Sequence, residues 1–248
     1  MKYKDYSIEI WNRINTTLDQ VLKEDSSPVA AFDADGTLWD IDFGETFFRY
    51  QINNKLVDLP PQAWNLYESI KAENPQKAYL WLAQICKGQK LEQVHEWARQ
   101  AVKEQAPLPI FLEQKKLIEL FLSRGVRVFV ITASVKWAVE PGAEIIGLNK
   151  DNVIGIETVV ENGLITETQK GVITYREGKV DALLKFTSGK KPFFASGNTM
   201  GDFQLLQSST HLSLAVSAAS RDDKLFKTEF ELQQHAHNNS WLHHRFIG

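Results

Sequence analysis

The stretch Val29 to Leu38 reads Val-Ala-Ala-Phe-Asp-Ala-Asp-Gly-Thr-Leu and places two carboxylates where an apolar run meets a glycine. Side chains two positions apart in a strand point to the same side, so we expect Asp33 and Asp35 to emerge together, roughly 6 to 7 Å apart at Cα. One carboxylate could attack a substrate atom while the other transfers a proton. The alternative interpretation is ordinary turn chemistry, since Asp and Gly commonly follow a strand.

The bulk composition indicates a globular protein of moderate size. The chain has 248 residues, of which 43% are hydrophobic and 24% are charged, so one α/β domain with an insertion fits best. The net charge of −3 provides no broad basic field, which argues against a nucleic-acid partner. An anionic substrate would therefore have to be held by local groups, such as a metal ion and a lysine.

Cysteine usage and hydropathy predict a cytoplasmic location. The single cysteine, Cys86, cannot form an internal disulfide, and a reducing compartment is the simplest inference. The segment Met1 to Asp5 lacks the apolar core of a signal peptide, and no run of eighteen apolar residues occurs. We expect no association with a membrane, and the oligomeric state is left open.

Apolar runs alternate with helical periodicity along most of the chain. Predicted strands cover Val29–Phe32, Val126–Thr132, Val153–Val160, Leu164–Thr166, Pro192–Ala195 and Leu212–Val216, and predicted helices cover 5–24, 111–122, 135–146, 180–186 and 200–207. This alternation predicts an α/β fold with a Rossmann-like, mostly parallel sheet that has helices on both faces.

About ninety residues separate the first two strands, and their periodicity is helical, with breaks at prolines and at Gly88. We predict a small α-helical cap of about four helices at 43–107, inserted after the first strand. The α/β core domain would comprise 1–42 and 108–248.

Polar residues follow the second strand, which is predicted to end at Thr132, followed by Ala133 and Ser134. A hydroxyl and backbone N–H groups between a strand and a helix can bind phosphate oxygens. Because ligands of parallel sheets lie outside the carboxyl ends of the strands, Asp33, Thr132 and Asn198 are all expected at one edge.

The pattern Asp-x-Asp-x-Thr, met by Asp33, Asp35 and Thr37, resembles the first motif of the haloacid dehalogenase (HAD) superfamily of aspartate-nucleophile phosphatases. Thr132 is similar to the second motif. The helical cap between these two motifs resembles that of the phosphoserine phosphatase-like branch. This resemblance spans roughly residues 28 to 216 and implies a Mg²⁺-dependent phosphomonoester hydrolase that forms an aspartyl phosphate on Asp33, with Asp35 as acid and base.

The resemblance also implies a catalytic lysine at the start of a helix upstream of the last motif. Lys179 fits this position and would offset the charges of the nucleophile and the phosphate, with Lys170 and Lys185 as rivals. The last motif is similar to Ser196-Gly197-Asn198-Thr199-Met200-Gly201-Asp202, in which Asn198 replaces the first of two acidic residues. The implied Mg²⁺ ligands are Asp33, the Asp35 backbone carbonyl, Asn198 and Asp202, and the amide should weaken metal binding.

The expected substrate is a small phosphorylated metabolite such as phosphoserine. The related phosphatases place an acidic residue near Asp42 to receive the substrate amine, and Trp39 could line the pocket. Phosphocholine or phosphoethanolamine is the alternative, since Trp64, Tyr67, Trp81 and Trp97 could form an aromatic cage, although core packing is the commoner role of such residues. Arg49 and Arg99 are candidates for a substrate carboxylate.

The motifs leave other functions open. A phosphotransferase and a catalytically weak HAD-scaffold binding protein are both compatible with them, the latter because of Asn198. The carboxyl-terminal residues His235, His237, His243 and His244 are interpreted as part of a flexible or surface tail rather than as a metal site.

Overall fold

The computed structural model describes residues 3–248, which form a seven-stranded sheet and ten α-helices. The strands are β1 (Val29–Phe32), β2 (Arg127–Val135), β3 (Val153–Glu161), β4 (Leu164–Lys170), β5 (Phe194–Gly197), β6 (Leu212–Ser217) and β7 (Leu242–Arg245). The helices are α1 (Ile8–Glu24), α2 (Phe43–Asn54), α3 (Ala63–Glu73), α4 (Pro75–Gln84), α5 (Leu91–Lys103), α6 (Leu112–Ser123), α7 (Lys136–Ile145), α8 (Glu177–Phe186), α9 (Phe203–Ser208) and α10 (Phe226–Asn238).

The strand order is β4-β3-β2-β1-β5-β6-β7, and every pair is parallel except the β3–β4 hairpin. This sheet confirms the predicted α/β fold. All four residues of β1 are buried, as expected for a central strand covered on both faces. The carboxyl ends of β1, β2 and β5 therefore lie side by side at one edge of the sheet.

Local sequence explains the first helix. The Ser7 side chain caps α1 by accepting a hydrogen bond from the Ile10 N–H, at 3.3 Å. Its buried residues follow helical spacing and join the main hydrophobic cluster beneath the sheet; they are Ile10, Ile14, Leu18 and Val21.

Five helices, α2 to α6, lie between β1 and β2, and the first four of them, α2 to α5, form the helical insertion that the periodicity predicted. They have their own hydrophobic cluster, which includes Phe48, Tyr67 and Leu82. Trp137 of α7 and Ile156 of β3 belong to the same cluster, so the helical insertion packs against the sheet domain through apolar side chains. The division at residues 43 and 107 remains a prediction.

The prediction of a tail at the carboxyl terminus is wrong, whereas its four histidines do lie at exposed or half-buried positions. Helix α10 packs on β6 and strand β7 extends the sheet, with β7 paired to β6 in parallel. His235 and His237 lie on α10, and His243 and His244 lie on β7. Only four residues of β7 pair, and Leu242 is its one buried position, which explains why alternation was not visible in the sequence.

Several predicted boundaries also differ from the structure. Strand β2 continues to Val135, because after an irregularity beyond Ile131 it pairs again with Ile156. Strand β5 begins at Phe194 instead of Pro192 and includes Gly197, which pairs with Ala215. Pairing with neighbouring strands, which hydropathy does not report, fixes these ends. Within residues 3–248, no helix has the length and apolar character needed to cross a membrane.

Candidate active site

A cavity of about 350 Å³ lies at the carboxyl ends of β1, β2 and β5. The structure brings the predicted site residues together around it, with the exception of Trp39. Its lining includes Asp33, Asp35, Asp42, Thr132, Ala133, Lys179, Asn198 and Asp202.

Asp33 directly follows β1 and its side chain is fixed by two hydrogen bonds. Its Oδ1 accepts from the Lys179 ammonium at 2.5 Å, and its Oδ2 accepts from the Thr37 hydroxyl at 2.9 Å. Burial and the charge of Asp202 raise the pKa of Asp33 to about 6 despite the ammonium. The nearby lysine and a bound cation are therefore what would keep this carboxylate ionised for attack.

Asp35 has three hydrogen-bond donors around its carboxyl group. The Ser134 hydroxyl donates to Oδ2 at 2.7 Å, while the Trp39 indole and the Phe43 N–H donate to Oδ1 at 2.8 and 3.0 Å. Burial and the charge of Asp42 raise the pKa of Asp35 to about 8. A carboxyl group that keeps its proton near neutral pH is suited to general acid catalysis.

Thr132, within β2, is 1% exposed and its Oγ1 accepts the Ser134 N–H at 3.0 Å. Since this contact uses a lone pair of the hydroxyl, its hydrogen remains available to a ligand in the cavity. The Thr132 carbonyl also accepts the Thr174 hydroxyl, which ties β2 to the loop before α8.

Lys179 lies in the first turn of α8 and is 2% exposed. Burial lowers its pKa, but Asp202 and Asp33 outweigh this effect and raise the pKa above the usual range. Of its rivals, Lys170 pairs with Glu157 at the exposed β3–β4 hairpin, and Lys185 lies on an exposed position of α8.

Both oxygens of Asp202 are already engaged. Oδ1 accepts from Lys179 at 2.6 Å, and Oδ2 accepts from the N–H groups of Asn198 and Thr199 at 3.1 and 3.0 Å. These contacts position Lys179 and the loop after β5, and they favour this role for Asp202 over the direct metal binding predicted from the motif.

Asn198 is 1% exposed and bridges two elements of the site. Its Nδ2 donates to Glu229 of α10 at 3.0 Å, and its Oδ1 lies 3.2 Å from the Thr37 hydroxyl. Gly36 faces it with a φ of +77°, and a Cβ at Gly36 would lie 2.1 Å from Asn198 Nδ2. The glycine therefore serves both the turn and the close approach of this amide.

The atoms around Asp33 and Asn198 that could bind a metal ion are oxygens, namely those of the Asp33 and Asn198 side chains and of the backbone near Asp35. In residues 3–248 there is no group of three or more His, Cys, Asp or Glu side chains arranged as a metal site. A set of one carboxylate with neutral carbonyl oxygens fits Mg²⁺, which takes few protein ligands and retains waters, and does not fit Zn²⁺, which prefers nitrogen and sulfur.

The outer part of the cavity carries charges of both signs. Asp42 caps α2 by accepting the Glu45 N–H at 2.7 Å, and burial together with Glu45 raises the pKa of Asp42. Lys71 of α3 and Lys224 both contact Glu45, at 2.6 and 3.3 Å, and both lysines line the cavity.

Several residues predicted to contact a ligand lie elsewhere. Trp39 is buried and packs beside Phe43 with ring centroids 4.7 Å apart and the ring planes tilted by 38°. It orients Asp35 instead of lining the cavity. Of the candidate cage residues, Tyr67 is buried in the cluster of α2 to α5, and the partly buried Trp64, Trp81 and Trp97 pack against that cluster. Arg49 stacks on Trp64 and Arg99 pairs with Glu96, and neither lines the cavity.

Among the side chains at the site whose role the sequence did not reveal are Ser134, Glu229, Lys71 and Lys224. Ser134 was visible as the hydroxyl two residues beyond Thr132. Glu229 and Lys224 lie beyond the last predicted strand, where no element was predicted, and Lys71 lies in the helical insertion, so nothing in their local sequence could place them here.

Comparisons with known proteins agree with this geometry. The model of one protein family, the haloacid dehalogenase-like hydrolases, matches residues 30–207. A search of curated proteins found no match.

Solved structures share the fold at low sequence identity. A conserved protein of unknown function from Anaerococcus prevotii DSM 20548 is 16% identical, with 98% of this chain and 95% of that chain covered and a TM-score of 0.75. A substrate-bound phosphoserine phosphatase is 18% identical over 77% of this chain and 86% of that chain, with a TM-score of 0.52. Cytosolic 5'-nucleotidase IIIB bound to cytidine is 12% identical over 94% and 93%, with a TM-score of 0.56.

The family match covers the strands that carry Asp33 and Thr132, the helix of Lys179 and the loop of Asn198 and Asp202. The chain therefore belongs to the haloacid dehalogenase-like hydrolases.

Proposed function

We propose that this protein is a Mg²⁺-dependent phosphomonoester hydrolase that acts through an aspartyl phosphate on Asp33. The observation that carries the proposal is the pairing of Asp33 Oδ1 with a buried lysine at 2.5 Å, beside Asp35, which lines the same cavity. An ammonium in this position lowers the cost of bringing an anionic phosphate to a carboxylate.

The residues divide the reaction between them. Asp33 attacks phosphorus while protonated Asp35 gives its proton to the leaving oxygen, and Asp35 then takes a proton from the water that cleaves the intermediate. Lys179 and the Thr132 hydroxyl hold the transferring group, and Ser134, Trp39 and the Phe43 N–H keep Asp35 in place.

Asp33, the Asp35 backbone carbonyl and Asn198 would hold Mg²⁺. Asp202, which pairs with Lys179, would add negative charge near the site without binding the ion directly. When bound, the ion screens the charges of the nucleophile and the phosphate and favours the ionised form of Asp33. We also propose that this site binds Mg²⁺ more weakly than a site with a second carboxylate would.

The substrate we propose is a small phosphorylated metabolite such as phosphoserine. A cavity of about 350 Å³ is of the size that small ligands occupy. Asp42 lies where it could receive an ammonium group, and Lys71 lies where it could receive a carboxylate. With the aromatic side chains packed in the α2 to α5 cluster, phosphocholine has less support than phosphoserine.

The test is hydrolysis of p-nitrophenyl phosphate with and without Mg²⁺, followed by a screen of phosphoserine, phosphoethanolamine, phosphocholine and sugar phosphates. We expect Mg²⁺-dependent turnover that Asp33→Asn reduces by at least about 10³-fold, since the nucleophile is lost. Beryllium fluoride should label Asp33 in the parent protein. Absence of any metal-dependent rate in the parent would favour a binding protein on this scaffold.

A further inference from the structure

The buried amide of Asn198 occupies the position where the family motif has a carboxylate, so the orientation of this amide decides what it offers to a cation. Its nitrogen lies 3.0 Å from Glu229 Oε1 and its oxygen lies 3.2 Å from Thr37 Oγ1. A carboxylate accepts hydrogen bonds and an amide nitrogen donates them. Glu229 therefore fixes the nitrogen on its own side and turns the amide oxygen toward Thr37.

Glu229 is held in place by contacts other than the one with Asn198. The residue is 2% exposed, and its Oε2 accepts hydrogen bonds from the N–H groups of Ala218 and Ala219 at 3.0 and 2.9 Å. Three donors thus surround the two oxygens of the carboxylate. Charge-assisted bonds of this kind are stronger than neutral ones, so the carboxylate forms a rigid support at the end of β6.

Thr37 does not compete for the amide oxygen. Its hydroxyl lies 2.9 Å from Asp33 Oδ2 and 3.2 Å from Asn198 Oδ1, but a hydroxyl has a single hydrogen to donate. The shorter contact, to the stronger acceptor, takes that hydrogen. Oxygens of Asp33 and Asn198 therefore both contact one hydroxyl, and the Asn198 oxygen retains its lone pairs.

We propose that Glu229 is a positioning residue for the cation site, which turns the Asn198 oxygen toward Asp33 and supplies the negative charge that position 198 lacks. The charge of the family motif is thus displaced by one side chain, from position 198 to the carboxylate behind it. This inference rests on the proposed function, because it requires that the protein binds Mg²⁺ at Asp33 and Asn198.

The test exchanges the charge between the two positions and measures Mg²⁺ binding directly by isothermal titration calorimetry. In Glu229→Gln, the side-chain amide cannot accept from all three donors, so Asn198 loses its fixed orientation and the charge disappears. We expect Mg²⁺ affinity to fall at least 10-fold. Glu231→Gln, an exposed substitution on the same helix, is the matched control and should leave affinity unchanged.

The reciprocal variants separate orientation from general loss of packing. Asn198→Asp alone places two carboxylates about 3 Å apart, and we expect its melting temperature without metal to fall by about 4 °C or more. In the double variant Asn198→Asp with Glu229→Gln, the new amide donates to the new carboxylate. We expect the melting temperature to recover and the Mg²⁺ affinity to return to within about 3-fold of the parent value.

Each result has a defined meaning. Parent-like Mg²⁺ affinity in Glu229→Gln overturns the inference, including the case in which that variant melts earlier, because the role would then be structural only. A double variant that binds no better than Glu229→Gln also overturns it. If the parent protein binds no Mg²⁺, the proposed function fails together with the inference. Parent-like affinity in Glu229→Gln, or a double variant that does not recover, overturns the inference alone and leaves the proposed function intact.

Discussion

Asp33 and Asp35 are two residues apart, yet the protein surrounds them with different groups. Asp33 faces an ammonium and a hydroxyl, whereas Asp35 faces a hydroxyl, an indole and a backbone N–H, and no cationic side chain among residues 3–248 donates a hydrogen bond to it. Burial raises both pKa values, to about 6 for Asp33 and about 8 for Asp35. Two identical side chains thereby acquire separate roles, one as nucleophile and one as proton donor.

The raised pKa of Asp35 predicts a pH-dependent stability of the metal-free protein. The unfolded carboxyl group titrates near 3.8 and the folded one near 8, so the folded state holds an extra proton between these values. Its contribution is fully present below about pH 4 and is lost as the pH rises toward 8. Asp35→Asn mimics the protonated form and should be more stable than the parent at pH 8, by at least about 1 kcal/mol.

Urea denaturation in EDTA at pH 5 and pH 8 measures this difference. The parent should lose stability over the interval, and Asp35→Asn should retain a smaller slope that comes from Asp33. Asp5→Asn, at an exposed position, should behave as the parent does. Identical pH slopes for the parent and Asp35→Asn would contradict the prediction, and the variant should have little phosphatase activity in any case.

At the scale of elements, helix α2 links the insertion to the catalytic loop through its first turn. Asp42 is the N-cap of this helix, and the Phe43 N–H donates to Asp35 at 3.0 Å. Asp42 has two separable features: an oxygen that caps α2 and a charge that faces the cavity. The cap contributes to stability, whereas the charge bears on the substrate.

A pair of substitutions at position 42 separates these features. Asp42→Ala removes the cap and should destabilise the protein by about 1 kcal/mol, which thermal or chemical denaturation can measure. Asp42→Asn retains a capping oxygen and should leave stability close to the parent value. If the substrate carries an ammonium, Asp42→Asn should raise KM with little change in kcat; an unchanged KM for an amine-bearing substrate would argue against that contact.

At the scale of the whole molecule, residues near the two ends of the chain pack against each other. Phe246, just beyond β7, stacks on Phe111 with ring centroids 4.0 Å apart and also contacts Tyr3 and Tyr6. The Lys4 N–H donates to the Phe246 carbonyl at 2.8 Å. The carboxyl-terminal segment that holds Glu229 is therefore fastened to the segment that precedes α1.

This closure predicts a large effect from a residue remote from the cavity. Phe246→Ala should lower the free energy of unfolding by about 3 to 5 kcal/mol, because a fully buried ring is lost. Phe230→Ala, at a side chain that is 53% exposed, is the matched control and should cost far less. Equal losses in the two variants, measured by chemical denaturation, would contradict this role of the chain ends.

The sequence by itself determined six of the seven strands, the helical insertion and the motif residues, because each depends on short-range patterns. Apolar runs specified the strands, and the spacing of Asp33, Asp35 and Thr37 in one loop marked the catalytic edge. The carboxyl-terminal elements escaped prediction because β7 has four residues without alternation and α10 is largely polar.

Only the tertiary structure decided which distant side chains complete the cavity. Glu229 is 31 residues from Asn198, and Lys71 and Lys224 reach Glu45 from different parts of the chain. A buried carboxylate must find donors, but its sequence does not say which donors folding will supply. Local pattern indicates roughly where each strand lies and which polar residues follow it, whereas strand pairing, hydrogen-bond satisfaction and charge pairing across the fold set the strand ends and assign each group its partner.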